Sequence, residues 1–120
     1  MNSPASGPRP WRGEIWLADF GQPFGHEQGF RHPCLIVSDD IINQGTSGLC
    51  VVVPLTSRNT GVPLHVAIAP PEGGLRIPSW AKPEDIRSLD TRRLLSRWGV
   101  LSQQTTELVD DRLKVLLKLR

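Results

Sequence analysis

Two histidines, a glutamate, a glutamine and an arginine crowd into the stretch GHEQGFRHPCLIV, directly before an apolar run. Cleavage of RNA by its own 2′-hydroxyl needs a base near that hydroxyl, an acid at the departing 5′-oxygen, and donors or cations around the phosphorus. Glu27, either His26 or His32, and Arg31 are residue types that supply these functions. DNA is spared by such chemistry because it lacks the attacking hydroxyl. The stretch therefore predicts a site for phosphodiester cleavage.

The same stretch is also a candidate metal site, because His26, Glu27 and His32 are all metal-ligating types. The metalloprotease motif H-E-x-x-H needs a helix to bring its histidines to one face, whereas this spacing is longer and the loop is rich in glycine. Cys34 and Cys50 lie inside apolar runs and are predicted to be small buried side chains. No G-x-S-x-G motif is present. We therefore expect no metal, no cofactor and no covalent nucleophile.

Composition restricts the architecture that must position these residues. The chain has 120 residues, of which 11 are glycine and 11 are proline, and this favours one domain of short strands over a helical bundle. A net charge of +2 argues against a protein that wraps duplex nucleic acid. The sequence lacks a signal-peptide core and an apolar run of about 18 residues, which predicts a cytoplasmic protein without membrane contact. Residues 1–11 are predicted to be a disordered leader and residues 12–120 a single domain.

Hydrophobic patterning predicts a mainly β (α+β) fold. Strands are expected at 13–20, in HPCLIVSDD, at 49–57, 62–70 and 85–89, and in RWGVLS. RNTG is predicted to form a tight hairpin between two of them, and Pro54 to mark an edge or a bulge. A one-turn helix is expected within 39–48, and a longer helix follows Ser102 as its N-cap. Together these elements predict a small, strongly bent antiparallel sheet or barrel closed by a C-terminal helix.

Several motifs appear together in order and at characteristic spacing: RGEIWLADF, GHEQGFRHPCLIVS, VVVPLTS, HVAI and PEDIRSLDTRRL. In combination, over about residues 12–119, they resemble the MazF/PemK (Kid) family of toxin endoribonucleases. The resemblance implies an SH3-like barrel of the CcdB/MazF type, a homodimer, and metal-independent, sequence-selective cleavage of single-stranded RNA. It further implies products with a 2′,3′-cyclic phosphate and a 5′-hydroxyl, and inhibition by a cognate MazE-like antitoxin.

The resemblance implies catalytic roles for Glu27, Arg31, His32 and Thr56. Glu27 matches the glutamate of the family's EQ pair, and Thr56 matches the threonine that ends the VVP-x-T strand. The family's catalytic arginine precedes the proline, where this chain has His32, and Arg31 lies one residue earlier. If the strand is already regular at residues 31–32, adjacent side chains point to opposite faces and Arg31 cannot replace the missing arginine. His32 itself would then act as the acid. Which of the two basic residues fills that place is left open.

A second set of residues is predicted to bind RNA: His26, Gln28, Ser57, Lys82, Glu84 and Arg87. Lys82 and Glu84 fall near positions that the PemK branch uses for catalysis. Structural alternatives remain for several candidates: Thr56 is also a typical turn hydroxyl, and His65 is predicted to lie on a strand surface. Trp98 is expected in the core or an interface. Two other functions stay open, namely a non-catalytic member that binds only RNA or antitoxin, and a CcdB-like gyrase poison.

Overall fold

The computed structural model describes residues 7–21 and 30–120 of the chain. Within them lie seven strands: β1 (Glu14–Asp19), β2 (Arg31–Ile36), β3 (Leu49–Thr56), β4 (Val66–Ile68), β5 (Ser79–Ala81), β6 (Arg87–Asp90) and β7 (Leu94–Val100). The helices are α1 (Asp40–Asn43) and α2 (Gln103–Leu117), with single 3-10 turns at Glu72–Gly74, Pro83–Asp85 and Thr91–Arg93. The strands pair antiparallel in the order β4-β5-β3-β2-β1-β7, and β6 also pairs with β3. The predicted bent sheet with a C-terminal helix is confirmed.

Both faces of the central strands are buried, which explains their nearly continuous apolar sequences. Ile15, Leu35 and Leu55 belong to a first core that α2 covers through Val109 and Leu113. The alternate residues face a second core on the other side of the sheet, formed by Ala18, Phe20, Cys34, Ile36, Cys50, Val52, Leu89 and Leu94. Side chains alternate between the two faces along each strand. Once one residue of a strand is known to belong to the first or the second core, the face of its neighbours in the strand is therefore also known.

Pro54 lies in a central strand, so the prediction of an edge is wrong, but the pairing on one side of β3 is interrupted at this position. It opposes Cys34 of β2, and on the other side its carbonyl accepts from the Lys82 amide at 2.9 Å. The nitrogen of a strand residue points to the same side as its carbonyl. At Pro54 that side faces the break between β5 and β6, where the 3-10 turn Pro83–Asp85 interrupts the pairing. No ladder hydrogen bond is therefore lost there.

The predicted hairpin at RNTG is also wrong, because β4 does not pair with β3. It pairs with β5, which in turn pairs with β3. The turn-forming residues of RNTG are compatible with a tight hairpin, but the partner of each strand is decided by which apolar faces are buried together.

The C-terminal helix begins as predicted, with the Ser102 side chain accepting from the Thr105 amide. Val109 is 0% exposed and Leu113 9%, and they supply its contact with the first core. The stripe continues to Leu116 and Leu117, but these are 37% and 50% exposed. The apolar face of α2 is therefore longer than the surface it covers within one chain. None of the helices in the described part of the chain is long and apolar enough to span a membrane.

Residues 7–11 belong to the predicted leader, but several of them pack on the domain. Pro10 is buried, and its backbone carbonyl accepts a hydrogen bond from the side-chain nitrogen Nε2 of Gln44 at 2.7 Å. A Cβ on Gly7 would lie 2.4 Å from backbone atoms of Thr91 and Arg92, so this position is in close backbone contact. The packed part of the chain thus begins before residue 12.

Candidate active site

The ends of β2 and β3 bring two of the predicted catalytic residues to one face of the sheet. His32 pairs with Ala18 of β1, and Ala18 belongs to the second core. Thr56 follows Leu55, which faces the first core, so Thr56 points to the second-core side. The pairing of β2 with β3 ends at Cys34 and Pro54. Extending the same register by two residues sets His32 opposite Thr56.

Arg31 occupies the other face of the same strand end. It is exposed and pairs with Asp19 of β1, one position beyond the pair of His32 with Ala18. The one-residue offset therefore reverses its direction relative to His32. Of the two basic residues that the sequence left open, His32 is the one that shares the face of Thr56.

The His32 ring packs beside an aromatic residue that also carries a cation. Its centroid lies 6.4 Å from that of Phe20, with the ring planes inclined at 47°. The guanidinium carbon of Arg87 lies 5.5 Å from the Phe20 centroid, within the range of a cation–π contact. Phe20 is 6% exposed, so both residues contact the same buried ring. The predicted RNA-binding residue Arg87 is thereby placed near His32.

Thr56 ends β3 and caps the turn that follows. Its Oγ1 accepts from the Arg58 amide at 3.1 Å, so the turn role considered for this hydroxyl is present. One lone pair of the oxygen is used in this bond, and its proton can still be donated. Capping therefore fixes the hydroxyl's position without preventing it from donating to a phosphate oxygen.

Lys82 and Glu84 both engage neighbours within the domain. The Lys82 ammonium lies 2.8 Å from the Asp85 carboxylate, and Glu84 Oε2 lies 2.6 Å from His65 Nε2. His65 was predicted on a strand surface, but it precedes β4 and its side chain is 4% exposed. The strand prediction extended too far because VPLHVAIAP alternates beyond the three residues that pair. Glu84 is therefore held by a buried histidine rather than standing free.

A cleft of about 660 Å³ opens beside His32 and Ser57. Its other walls come from the segment 74–79, which includes Arg76 and Ile77, and from Arg97 and Trp98 of β7. Sequence reasoning assigned Ser57 to RNA binding but attributed Trp98 to the core or an interface, and it missed Arg76 and Ile77. Trp98 is 39% exposed at the cleft, so it does not belong to the core, and its place in an interface stays a prediction. The order of residues along the chain does not indicate that these residues line one cleft, because the segment 74–79 and β7 meet only in the folded sheet.

The two thiols are unsuited to nucleophilic chemistry. Burial raises the pKa of Cys34, and burial together with Asp90 raises the pKa of Cys50 to about 11. Both thiols therefore stay protonated at neutral pH, in agreement with the prediction of small buried side chains.

Within residues 7–21 and 30–120, no three His, Cys, Asp or Glu side chains converge as a metal site requires. The candidates His26, Glu27 and Gln28 lie outside the described residues.

Comparison with known proteins identifies the family. Residues 11–117 match the family described as PemK-like, MazF-like toxin of type II toxin–antitoxin systems. The chain belongs to this family. It is also 35% identical over 113 residues to the endoribonuclease MazF9 of Mycobacterium tuberculosis, covering 90% of this chain and 96% of that protein.

Solved structures of MazF proteins share the fold. The crystal structure of MazF from Deinococcus radiodurans superimposes with a TM-score of 0.82 at 29% identity, covering 93% of this chain and 99% of that one. A mycobacterial endoribonuclease in complex with its cognate antitoxin gives a TM-score of 0.74 at 26% identity, covering 93% and 96% of the two chains. As a member of this MazF-like family, the chain departs from the expected arginine–proline pair by having His32 before Pro33.

Proposed function

We propose that the chain is a toxin endoribonuclease that cuts single-stranded RNA at selected sequences. Membership of the MazF-like toxin family supports this, as does similarity to a relative named as an endoribonuclease. The observation that carries the proposal is the strand register that sets His32 and Thr56 on one face, at the adjoining ends of β2 and β3.

In the proposed reaction, the RNA 2′-oxygen attacks the adjacent phosphorus and the bond from phosphorus to O5′ breaks. The 2′-hydroxyl proton passes to a base, for which we propose Glu27, and O5′ takes a proton from His32. The products are a 2′,3′-cyclic phosphate and a 5′-hydroxyl. Glu27 lies outside the described residues, so its role rests on the family resemblance, either as the base or in orienting the basic residues.

Charge and hydrogen bonds from the protein stabilise the transition state in this scheme, with no metal ion required. The Thr56 hydroxyl donates to a non-bridging phosphate oxygen, and Arg87, held 5.5 Å from the Phe20 ring centre, supplies fixed positive charge next to His32. Arg31 points to the other face and is assigned to a neighbouring phosphate. Ser57 and the loop residues His26 and Gln28 are assigned to RNA binding.

Lys82 and Glu84 are proposed to contact RNA rather than to act in proton transfer. Each already has a charged or ionisable partner within hydrogen-bonding distance, Asp85 for the former and His65 for the latter. Such pairing holds both side chains in place, and positioned charges select the path of an RNA backbone.

An antitoxin and a second copy of the chain are the proposed protein partners. The structural relative bound to its cognate antitoxin supports inhibition by a MazE-like protein. The exposed apolar residues on α2, among them Val115 at 69% and Leu117 at 50%, support a homodimer, because they extend beyond the surface that α2 covers in one chain.

Cleavage of 5′-labelled single-stranded RNA in the presence of EDTA tests the proposed activity. We expect the wild-type chain to leave cyclic phosphate ends, and His32→Ala and Thr56→Ala each to slow cleavage by about 100-fold or more, since each removes a group acting in the transition state. Arg31→Ala is the matched control and should lose less than either. Retained melting temperatures would show that folding is intact. If the wild-type chain left the RNA intact, the protein would bind RNA or antitoxin without cleaving RNA. Full activity of both His32→Ala and Thr56→Ala would show that neither residue acts in the mechanism.

A further inference from the structure

We propose that the cleft between β7 and the segment 74–79 binds one unpaired base of the RNA strand, next to the scissile phosphate. This inference rests on the proposed function and adds a specificity-determining subsite to it. Four features of the cleft carry it: its dimensions, the direction of Trp98, the charges at its mouth, and its continuity with His32.

The cleft has the size and lining of a site for a flat aromatic group. Its volume of about 660 Å³ falls within the range of roughly 300–1,000 Å³ found for small-molecule sites. Leu55 and Leu75, at 0% and 3% exposure, form the buried floor of the cleft, while Trp98 and Ile77 line it at 39% and 57% exposure. An unpaired base stacks on an aromatic side chain regardless of its hydrogen-bonding pattern.

A bulge in β7 accounts for the position of Trp98. Ile15 of β1 pairs with Gly99 and Trp16 pairs with Arg97, so Trp98 is an extra residue without a partner in β1. Bulges of this kind redirect a side chain away from the regular alternation of the strand. Here the bulged residue is a half-exposed tryptophan that lines the cleft.

Close backbone contacts fix the opposite wall before any ligand binds. A Cβ on Gly74 would lie 2.1 Å from the Trp98 carbonyl oxygen, and one on Gly99 would lie 2.6 Å from the Gly73 carbonyl carbon. These glycines let the segment 74–79 lie directly against β7. A wall that is already in place lowers the ordering cost of binding.

The polar groups of the cleft suit a base attached to a phosphate. Arg76 and Arg97 bring positive charge, and Arg97 is anchored through its Nε to Glu14 at 2.5 Å. The Ser79 hydroxyl donates to the Ile77 carbonyl at 3.1 Å, so its lone pairs can accept from the N–H edge of a base. Ser57 adds a second hydroxyl. An apolar side chain of an antitoxin peptide would fill the walls but would form no hydrogen bond with these hydroxyls.

His32 and Ser57 connect this cleft with the proposed active site. Both line it, and they neighbour Pro33 and Thr56 in the chain. The cleft also contains Leu55 and Leu75 of the first core, so it lies on the opposite face of the sheet from the Thr56 side chain and meets the proposed active site at the ends of β2 and β3. An RNA strand whose scissile phosphate lies at His32 and Thr56 would reach the cleft by passing around these strand ends. The base that enters it is one that flanks the cut.

Abasic substitution in the RNA tests the subsite. The cut position is first mapped on a long single-stranded RNA, and short oligoribonucleotides around it are made with one abasic nucleotide at each flanking position. We expect kcat/KM of the wild type to fall about 10- to 100-fold at one flanking position. In Trp98→Leu, intact RNA should be cut more slowly by a similar factor, and the abasic penalty at that position should disappear. Trp11→Leu, which changes a tryptophan 54% exposed outside the cleft, should behave as the wild type.

Ile77→Ala, at a position 57% exposed, repeats the test at a site where truncation leaves the fold intact. It should reduce the same abasic penalty by a smaller factor. An undiminished penalty in both variants, with RNA still cut, would overturn the subsite and leave the proposed function standing. Loss of antitoxin binding in Trp98→Leu with an unchanged abasic penalty would assign the cleft to the protein partner instead and would equally overturn the inference. Absence of cleavage by the wild type on any RNA would reject the proposed function itself.

Discussion

At the scale of single residues, the proposed mechanism assigns to His32 and Arg87 the two functions that a single arginine would combine, proton donation and fixed positive charge. An arginine before the proline carries both a fixed charge and donors for the phosphate. In the proposed mechanism the histidine in its place donates the proton, and Arg87, whose guanidinium carbon lies 5.5 Å from the centre of the Phe20 ring, supplies the fixed charge. The substitution is thus compatible with cleavage, because acid and charge are both present on the face of Thr56.

Restoring the arginine tests this division. A histidine acid loses its proton as the medium becomes alkaline, whereas an arginine keeps it throughout the accessible range. We expect His32→Arg to cleave RNA, and any fall in rate that the wild type proves to have in alkaline medium to be absent from this variant. The measurement is the single-turnover rate constant across pH, with Arg31→His as the control that should keep the wild-type profile. An identical alkaline limb in His32→Arg would exclude His32 as the acid.

At the scale of elements, the cleft is shaped by the contact of β7 with the segment 74–79 and with Gly73, which precedes that segment. Gly73 and Gly74 adopt φ values of 66° and 74°, where side chains are strained, and both lie against other backbone or core atoms. The two bulges in β7 bring Trp98 and Leu95 out of the regular alternation, at 39% and 44% exposure. Neither feature is a property of the strand alone, since both depend on its neighbour.

Comparing Gly74→Ala with Gly48→Ala should separate the destabilisation caused by the close contact from that caused by positive φ. Gly48 has φ +72° with nothing within 4 Å of a Cβ, so Gly48→Ala introduces the backbone strain alone, about 1–2 kcal/mol. Gly74→Ala adds a clash at 2.1 Å with the Trp98 carbonyl and should destabilise the protein by clearly more. Urea denaturation of both variants measures the difference. Equal losses would mean that the segment can move away from β7 at no cost.

At the scale of the whole molecule, Glu14 of β1 connects the N-terminal segment, its own strand and the neighbouring strand β7. Its carboxylate accepts from the Trp11 amide at 2.7 Å, the Trp16 indole at 2.9 Å and Arg97 Nε at 2.5 Å. Burial raises the pKa of Glu14, but the bonds from Trp11, Arg97 and Trp16 outweigh it, and the pKa lies below its ordinary value. The ionised form is therefore favoured in the folded state, and its contribution to stability is present at neutral pH.

Acid should remove that contribution. Because the folded-state pKa is lowered from 4.5, the stabilisation is present above that value and is lost as the pH falls through the folded-state pKa. We expect Glu14→Gln to lower the free energy of unfolding by about 1–3 kcal/mol at neutral pH, and the gap to the wild type to narrow in acid. Glu107→Gln, which changes an exposed glutamate, is the control and should change stability by less than about 0.5 kcal/mol. A gap that stays constant with pH would contradict the assignment to ionised Glu14.

The sequence by itself determined the mainly β architecture, the C-terminal helix with its Ser102 cap, and the membership of residues such as Thr56 in family motifs. These features depend on local patterns of apolar residues, caps and short motifs, which the order of side chains carries directly. It also identified the uncertainty between Arg31 and His32, because a strand alternates whatever its partners are.

Only the tertiary structure decided which strands pair, which face each strand end presents, and which distant segments meet. Strand pairing put β5 rather than β4 beside β3, and this removed the expected hairpin. The register of β2 with β1 placed His32 on the second-core face, and the bulge opposite Ile15 turned Trp98 toward Arg76 and Ser57. These arrangements arise because both faces of the sheet are buried at once, so the register and bulges of each strand depend on its partners. They cannot therefore be predicted from any single stretch of sequence.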